Sequence, residues 1–240
     1  MPTVGKVARQ IQEQARRLPT AALDLLFPPH CVGCGRLGTV LCDNCVQQFE
    51  PVGRNVCPRC GRPGNSTTLC GHCRRHPPRF HTVRSAFLFA DPLQDAVHAF
   101  KYQGESRLAG PLAGAMQAVV SPPEALDGVV PVPLHARHLA ERGYNQAALL
   151  AEPLASAWGL PMLEAALTRI RQTRSQVGLS LDERRSNVGG AFVADPQVAG
   201  SRLLLVDDVC TTGATLDACA TALLEAGARA VWGVTLARAI

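Results

Sequence analysis

Two acids stand side by side in the stretch LLLVDDVCTTGATL, Leu203 to Leu216, where an apolar run meets a hydroxyl-rich turn. Asp207 and Asp208 could accept hydrogen bonds from a diol. Behind them Thr211, Thr212, Gly213, Ala214 and Thr215 lead into a helical pattern. Successive backbone N–H groups and threonine hydroxyls in such a turn can wrap a phosphate, and the start of the helix adds partial positive charge. Gly213 permits close approach of a ligand or an unusual φ. The magnesium-binding strand of a P-loop NTPase would need a partner G-x-x-x-x-G-K-[ST], which the chain lacks. A response-regulator acid cluster belongs near the start of a domain, not its end. The bland alternative is an acidic pair that only caps the next helix.

A ribose 5-phosphate carries a phosphate and a diol at about the separation of these two features. LLLVDDVCTTGAT resembles the fingerprint of type I phosphoribosyltransferases, which bind phosphoribosyl pyrophosphate (PRPP) with Mg2+. On that resemblance the PRPP-binding residues are Asp207, Asp208, Val209, Cys210, Thr211, Thr212, Gly213, Ala214 and Thr215. Loss of pyrophosphate develops negative charge on the leaving group, which guanidinium groups and magnesium stabilise while a closing loop excludes water. Arg137 and Arg142 follow a strand end, where a pyrophosphate loop belongs, and Lys101 is a third pyrophosphate candidate. Segment 168–187 holds Arg169, Arg171, Arg174, Arg184 and Arg185 among polar residues and reads as a mobile lid. Arg169 and Arg184 join Asp207 and Asp208 as catalytic candidates. For each cation the alternative is a structural or solvated charge. His135 and His138 read as hydrogen-bonded loop residues, with a catalytic base as the alternative. Cys210 reads as a packing residue or the donor of a backbone N–H, and Cys219 as helix core.

Eight of the ten cysteines form four Cys-x-x-Cys pairs: Cys31/Cys34, Cys42/Cys45, Cys57/Cys60 and Cys70/Cys73. Each knuckle presents two thiolates from one turn, so four knuckles make two tetrahedral Zn2+ sites. The segment repeats, CVGCG then LCDNC, CPRCG then LCGHC. This favours sequential pairing, 31/34/42/45 and 57/60/70/73. An interleaved pairing, 31/34 with 57/60, stays open, as do a disulfide reading and substitution of a ligand by His30, His72 or His76. The region is poor in apolar periodicity, so something must staple it. Arg36, Arg54, Arg59, Arg62, Arg74 and Arg75 surround the knuckles, which suits contact with a polyanion such as single-stranded DNA. Protein contact and a purely structural module are the alternatives.

These groups need a scaffold. Residues 1–26 read as an amphipathic segment with Val4, Val7, Ile11, Leu18, Leu23 and Leu26, broken at Pro19. It is expected to pack on one of the domains; a membrane-surface helix is the other reading. Residues 27–78 form the zinc-ribbon head, and Pro77-Pro78 opens an extended linker to a larger domain, 79–240. There, strands are expected at 82–90, 127–133, 189–194, 202–208 and 230–237, with helices from Asp91, over 106–120, 145–158 and 214–226. The alternation predicts an α/β fold, a parallel sheet with helices on both faces. In such sheets ligands bind beyond the carboxyl ends of the strands. Net charge is +5, which suits either a nucleic acid or a phosphorylated metabolite. No apolar run spans a bilayer and the first residues lack a signal-peptide core, so a cytoplasmic location is expected, where thiols stay reduced.

PVPLHARHLAERGYNQAALLA (131–151), LTRIRQTRSQVGLSLDERRSNVGGAF (167–192) and the Cys-rich head together resemble the ComF family of ComFC and GntX-type proteins, from about Leu25 to the C-terminus. Arg137, Arg142, Gly143, Asn145 and Gln146 fall on its first motif, and Arg169, Thr173, Gln176, Arg184 and Asn187 on its second. The resemblance implies a type I phosphoribosyltransferase-like fold behind a double zinc ribbon. It further implies, for competence members, a role in DNA uptake beside a ComFA-like ATPase. It names no acceptor base. A non-catalytic PRPP sensor, a nucleic-acid or protein adaptor and a homodimer remain compatible with it.

Overall fold

The computed structural model describes residues 28–123, 125–171 and 190–240. The amphipathic N-terminal segment and most of the expected lid, including Thr173, Arg174, Gln176, Arg184, Arg185 and Asn187, lie outside the described residues.

The strands, in chain order, are β1 (Val83–Leu88), β2 (Gly128–Pro131), β3 (Leu167–Arg169), β4 (Phe192–Ala194), β5 (Arg202–Cys210) and β6 (Ala230–Arg238). The helices are α1 (Asp43–Val46), α2 (Gly71–Arg75), α3 (Leu93–Tyr102), α4 (Ala109–Val119), α5 (Ala136–Arg142), α6 (Gln146–Ala157) and α7 (Ala214–Glu225). Four strands form one parallel sheet in the order β1-β6-β5-β2.

Strand side chains alternate between faces, and β5 supplies both cores. Leu204 and Val206 pack with Val97, Phe100, Met116, Leu150 and Leu154 from α3, α4 and α6. Leu203 and Leu205 pack on the opposite face with Leu216, Cys219 and Leu223 of α7. The expected parallel sheet with helices on both faces is therefore present. The expected strand at 189–194 belongs elsewhere: β4 pairs antiparallel with β3 in a separate ribbon. Its pattern explains this. Phe192 is buried while Val193 is 50% exposed, which suits a ribbon laid over α7 and not a sheet interior covered on both faces. Helix α5 is an addition to the expected elements. It is capped by His135, whose Nδ1 accepts the Arg137 N–H.

Sheet edge β1 is covered by the Cys-rich head. Leu88 N–H donates to Glu50 O at 2.8 Å, Val52 N–H to Ala86 O at 3.1 Å and Val83 N–H to Arg59 O at 2.8 Å. The head straddles this edge. Cys31, Leu41, Cys42, Cys45 and Phe49 join the core with Phe87 and Leu93, whereas Cys57, Cys60 and Cys73 join the other core with Phe80 and Val83. The expected linker is tied down. Arg59 donates to Pro78 O, Arg79 N–H to Asp217 Oδ1 and His81 N–H to Val231 O, and Phe80 is buried.

Gly61 shows how tightly the second half of the head sits on β1. Its φ is +69°, and an added Cβ would stand 2.5 Å from Val83 O. Gly61→Ala should therefore cost about 2–3 kcal/mol of stability in chemical denaturation of zinc-loaded protein, through backbone strain plus the clash. Gly35→Ala, at φ +75° with nothing within 4 Å, is the control and should cost about 1 kcal/mol.

Candidate functional site

Strand β5 delivers the acidic pair to the carboxyl end of the sheet, and it runs on to Cys210 instead of ending at Asp208. The strand is longer than expected because Val209 and Cys210 pair with Ala237 and Arg238 of β6. Both acids therefore lie in extended backbone and follow its alternation. Asp208 leaves on the α3 face, where Lys101 Nζ lies 2.8 Å from its Oδ1. Asp207 leaves on the α7 face and lines a hollow with Thr211, Gly213, Ala214 and Thr215. The expected end of the strand at Asp208 is corrected by this geometry.

The environments differ accordingly. Desolvation and then the neighbouring Asp208 raise the Asp207 carboxyl to about 7, opposed by Lys101 and by the Asp208 N–H, which donates to Asp207 Oδ1 at 2.9 Å. Burial works against the charge on Lys101, but Asp208 and Asp207 overcome it and raise its pKa. Lys101 thus does more than favour a helix C-terminus.

The turn between β5 and α7 has the form that anion binding requires. Gly213 stands at φ +85° as the residue before α7. Thr212 Oγ1 accepts from Ala214 N–H at 3.2 Å. The N–H groups of Thr211, Thr212 and Gly213 find no acceptor among the described residues. They form a run of donors at a helix N-terminus. Cys210 lies beneath. Burial raises its thiol to about 11, with Arg238 acting the other way. Cys219 is buried in α7, as expected of a core residue.

The other cations divide. Arg169, at the end of β3, lies over the Phe192 ring, and burial lowers its pKa while Cys219 and Asp207 act against that. It therefore shares the Asp207 side. Arg142 donates to Gln146 Oε1 at 2.7 Å and lies over Tyr102, the neighbour of Lys101. Arg137 is turned to Glu141 at 2.8 Å on an exposed helix face, and His138 Nδ1 lies 3.1 Å from the same carboxylate. Of the first basic motif, Asn145 caps α6 and Gln146 is buried against Phe100 O, so both serve structure here.

The cysteines pair sequentially. Cys31, Cys34, Cys42 and Cys45 converge, as do Cys57, Cys60, Cys70 and Cys73, with all four Sγ atoms of each set within 4.8 Å of one another. Sγ–Sγ distances of 3.6 Å for Cys31–Cys45 and Cys34–Cys42 and 3.7 Å for Cys60–Cys70 fit the roughly 3.8 Å edge of a tetrahedron built on Zn–S bonds of about 2.3 Å. Backbone N–H groups support the sulfurs, Cys42 to Cys31 at 3.4 Å and Cys70 to Cys57 at 3.3 Å. The interleaved pairing is excluded by this grouping. Sequence reasoning does not single out Arg238. It reaches from β6 to both Cys60 and Cys210, and its signal is a lone charge ending the apolar run AVWGVTLAR.

A parallel α/β sheet whose diacidic strand opens onto a donor-lined turn, edged by two four-cysteine centres, belongs to the class of phosphoribosyltransferase-type domains carrying a zinc-ribbon head. Comparison with known proteins agrees. Residues 22–74 match the double zinc ribbon domain and residues 139–239 the phosphoribosyl transferase domain. The DNA utilization protein YhgH of Salmonella typhi is 36% identical over 184 residues, covering 74% of this chain and 81% of that protein. Competence protein F of Haemophilus influenzae is 31% identical over 232 residues, 89% of this chain and 98% of that one. Competence protein ComFC of Bacillus subtilis is 28% identical over 207 residues, 82% and 84% of the two chains. The chain belongs to the ComF family, with these proteins among its relatives. No helix among the described residues is long and apolar enough to cross a membrane.

Protein purified without added metal should carry two zinc ions per chain by elemental analysis. Cys57→Ser should retain one firmly and release the other to a mild chelator, because structural zinc contributes directly to folding. One zinc or none in the parent protein would contradict the two-centre assignment.

Proposed function

We propose that this chain binds PRPP with Mg2+ as a phosphoribosyltransferase-type protein and acts in DNA uptake or utilisation. The observation that carries the reading is the run of N–H groups at Thr211, Thr212 and Gly213 without acceptors among the described residues, directly beyond a strand bearing two carboxylates. A 5-phosphate would take these donors, together with the threonine hydroxyls. Asp207, on the same side, would accept from a ribose hydroxyl. Asp208 would hold Lys101 at the strand end, where a pyrophosphate would meet the ammonium group, and Arg169 would add positive charge beside Asp207. Carboxylate and phosphate oxygens are the donors Mg2+ prefers, so Asp207, on the side of the turn, fits it, and the ion would supply charge neutralisation on the leaving group.

Calorimetry with PRPP and Mg2+ tests the reading. Each charge-assisted hydrogen bond contributes on the order of 1.5–3 kcal/mol, so Asp207→Asn, which loses the ribose contact, should weaken binding roughly tenfold to a hundredfold, and Asp208→Asn should weaken it less, through a loosened Lys101. Thr211→Val should weaken ribose 5-phosphate as well as PRPP, since it acts through the phosphate. Folded variants that bind PRPP as the parent does would reduce the acidic pair to a helix-flanking feature. Pyrophosphate release over a panel of bases and nucleic acids then separates turnover from sensing.

The DNA role rests on the names of the relatives and on the arginines of the head. Arg36, Arg54, Arg74 and Arg75 are exposed. Contact with single-stranded DNA by neutralised phosphates is salt-dependent. Arg74→Ala with Arg75→Ala should lower single-strand affinity and flatten its salt slope in titrations across ionic strengths. Unchanged affinity would assign the head to protein contact, such as a ComFA-like ATPase, or to structure alone.

A further inference from the structure

Arg238 ends β6 with its guanidinium inside the protein, at 1% exposure. Its NH1 donates to Cys60 O at 3.0 Å and to Cys210 Sγ at 2.8 Å, its NH2 lies 4.0 Å from Cys60 Sγ, and its Nε has no partner among the described residues. A guanidinium remains charged at any physiological pH. Burying that charge is costly unless an opposite charge answers it. Among the described residues Arg238 makes no ion pair with a carboxylate. Burial raises the Cys210 thiol, which favours its neutral form. The negative charge within reach belongs to the second cysteine tetrad, because four thiolates around a divalent zinc keep a net charge of about minus two.

The same tetrad walls the anion-binding turn. Cys60, His72, Cys73 and Phe80 face Thr212 and Gly213 across a narrow cleft. An added Cβ at Gly213 would meet the Phe80 ring at 3.8 Å and Cys210 Sγ at 3.9 Å. The first tetrad differs: among the described residues no arginine donates to its cysteines.

We propose that Arg238 is a positioning residue through which the second four-cysteine centre holds the 210–213 turn in its anion-binding shape. The centre supplies the countercharge that keeps the guanidinium in place, and the guanidinium fixes Cys210 at the base of the turn. Zinc occupancy at this centre and order of the turn are thereby coupled, while the first centre only clamps the opposite face. The coupling rests on the PRPP reading solely for what the turn binds.

The test uses the full chain loaded with zinc and has two readouts that need no ligand. Competition with a chromogenic chelator, with alkylation mapping of released thiols, gives the retention of each centre. Hydrogen exchange gives the protection of Asp217 and Ala239, whose N–H groups donate to Gly213 O and Cys210 O of the turn. Arg238→Met should make zinc leave the Cys57/Cys60/Cys70/Cys73 centre roughly tenfold to a hundredfold more readily, as loss of a charge-assisted contact requires. It should leave the Cys31/Cys34/Cys42/Cys45 centre unchanged, and Arg238→Lys should recover part of the loss. In the parent, stripping the second centre should sharply lower protection at Asp217 and Ala239. Should Arg238→Met fail to fold, this parent measurement decides alone. Equal retention at both centres in a folded Arg238→Met, or turn protection indifferent to zinc, overturns the proposal. Absence of PRPP or ribose 5-phosphate binding with the zinc-dependent protection intact would overturn the ligand assignment and leave the coupling standing.

Discussion

The structure depends on the two-residue period of one strand. Leu203 and Leu205 build one core, Leu204 and Val206 the other, and the same alternation carries past the apolar run to place Asp207 and Asp208 on opposite sides. Because the strand stays paired to Cys210, neither carboxylate can rotate to join the other. Each is therefore governed by what covers its own face. Asp208 meets Lys101 from α3. Asp207 meets the start of α7, where no cation sits against it at ion-pair distance among the described residues, and desolvation raises it. Adjacent, chemically identical residues thus meet different surroundings because of strand geometry.

The head follows from a second constraint. A parallel sheet leaves an edge strand with unpaired backbone groups, which proteins must cover. The Cys-rich segment covers β1 and contributes three buried cysteines to each of the two cores. Metal ligation and docking on the sheet supply the order of the head together. The head and the sheet are thus two parts of one packing arrangement, tied by Phe80 and by Arg59 and Arg79 across the Pro77-Pro78 stretch.

Much of this is legible in the sequence because the signals are local. The helical period of Leu93, Val97 and Phe100 marks α3, the aliphatic runs mark β5 and β6, and the knuckle spacing marks the metal ligands together with their sequential grouping. Sequence reasoning fails where a partner distant in the chain decides the outcome. Phe192 joins a ribbon because Leu167 and Arg169 lie beside it, and nothing in GGAFVA announces that pairing. Asp-Asp looks like a strand terminus, whereas cross-strand pairing with Ala237 and Arg238 continues β5 two residues further. Helix α5 is itself unannounced, and it gives Arg137 an ion-pair partner in Glu141, four residues on, across an exposed helix face.

Arg238 brings these constraints to a single group of atoms. Replacing a whole buried charge pair by apolar side chains of similar volume often leaves a protein as stable, whereas removing one partner alone is costly. What the guanidinium at the end of β6 adds beyond stability is position. The terminal nitrogens form a planar fork, and here the fork reaches a knuckle carbonyl and a sulfur of the opposing turn at once, across the layer between β6 and the head. A hydrophobic side chain in the same volume would tolerate small shifts of either partner, since dispersion contacts carry no direction. The fork does not, because each hydrogen bond weakens as its geometry departs from linearity. The residue thus sets a fixed relation between a cysteine knuckle and the turn beside it. It adds a tie from the head to those the turn already has, Asp217 N–H to Gly213 O and Ala239 N–H to Cys210 O.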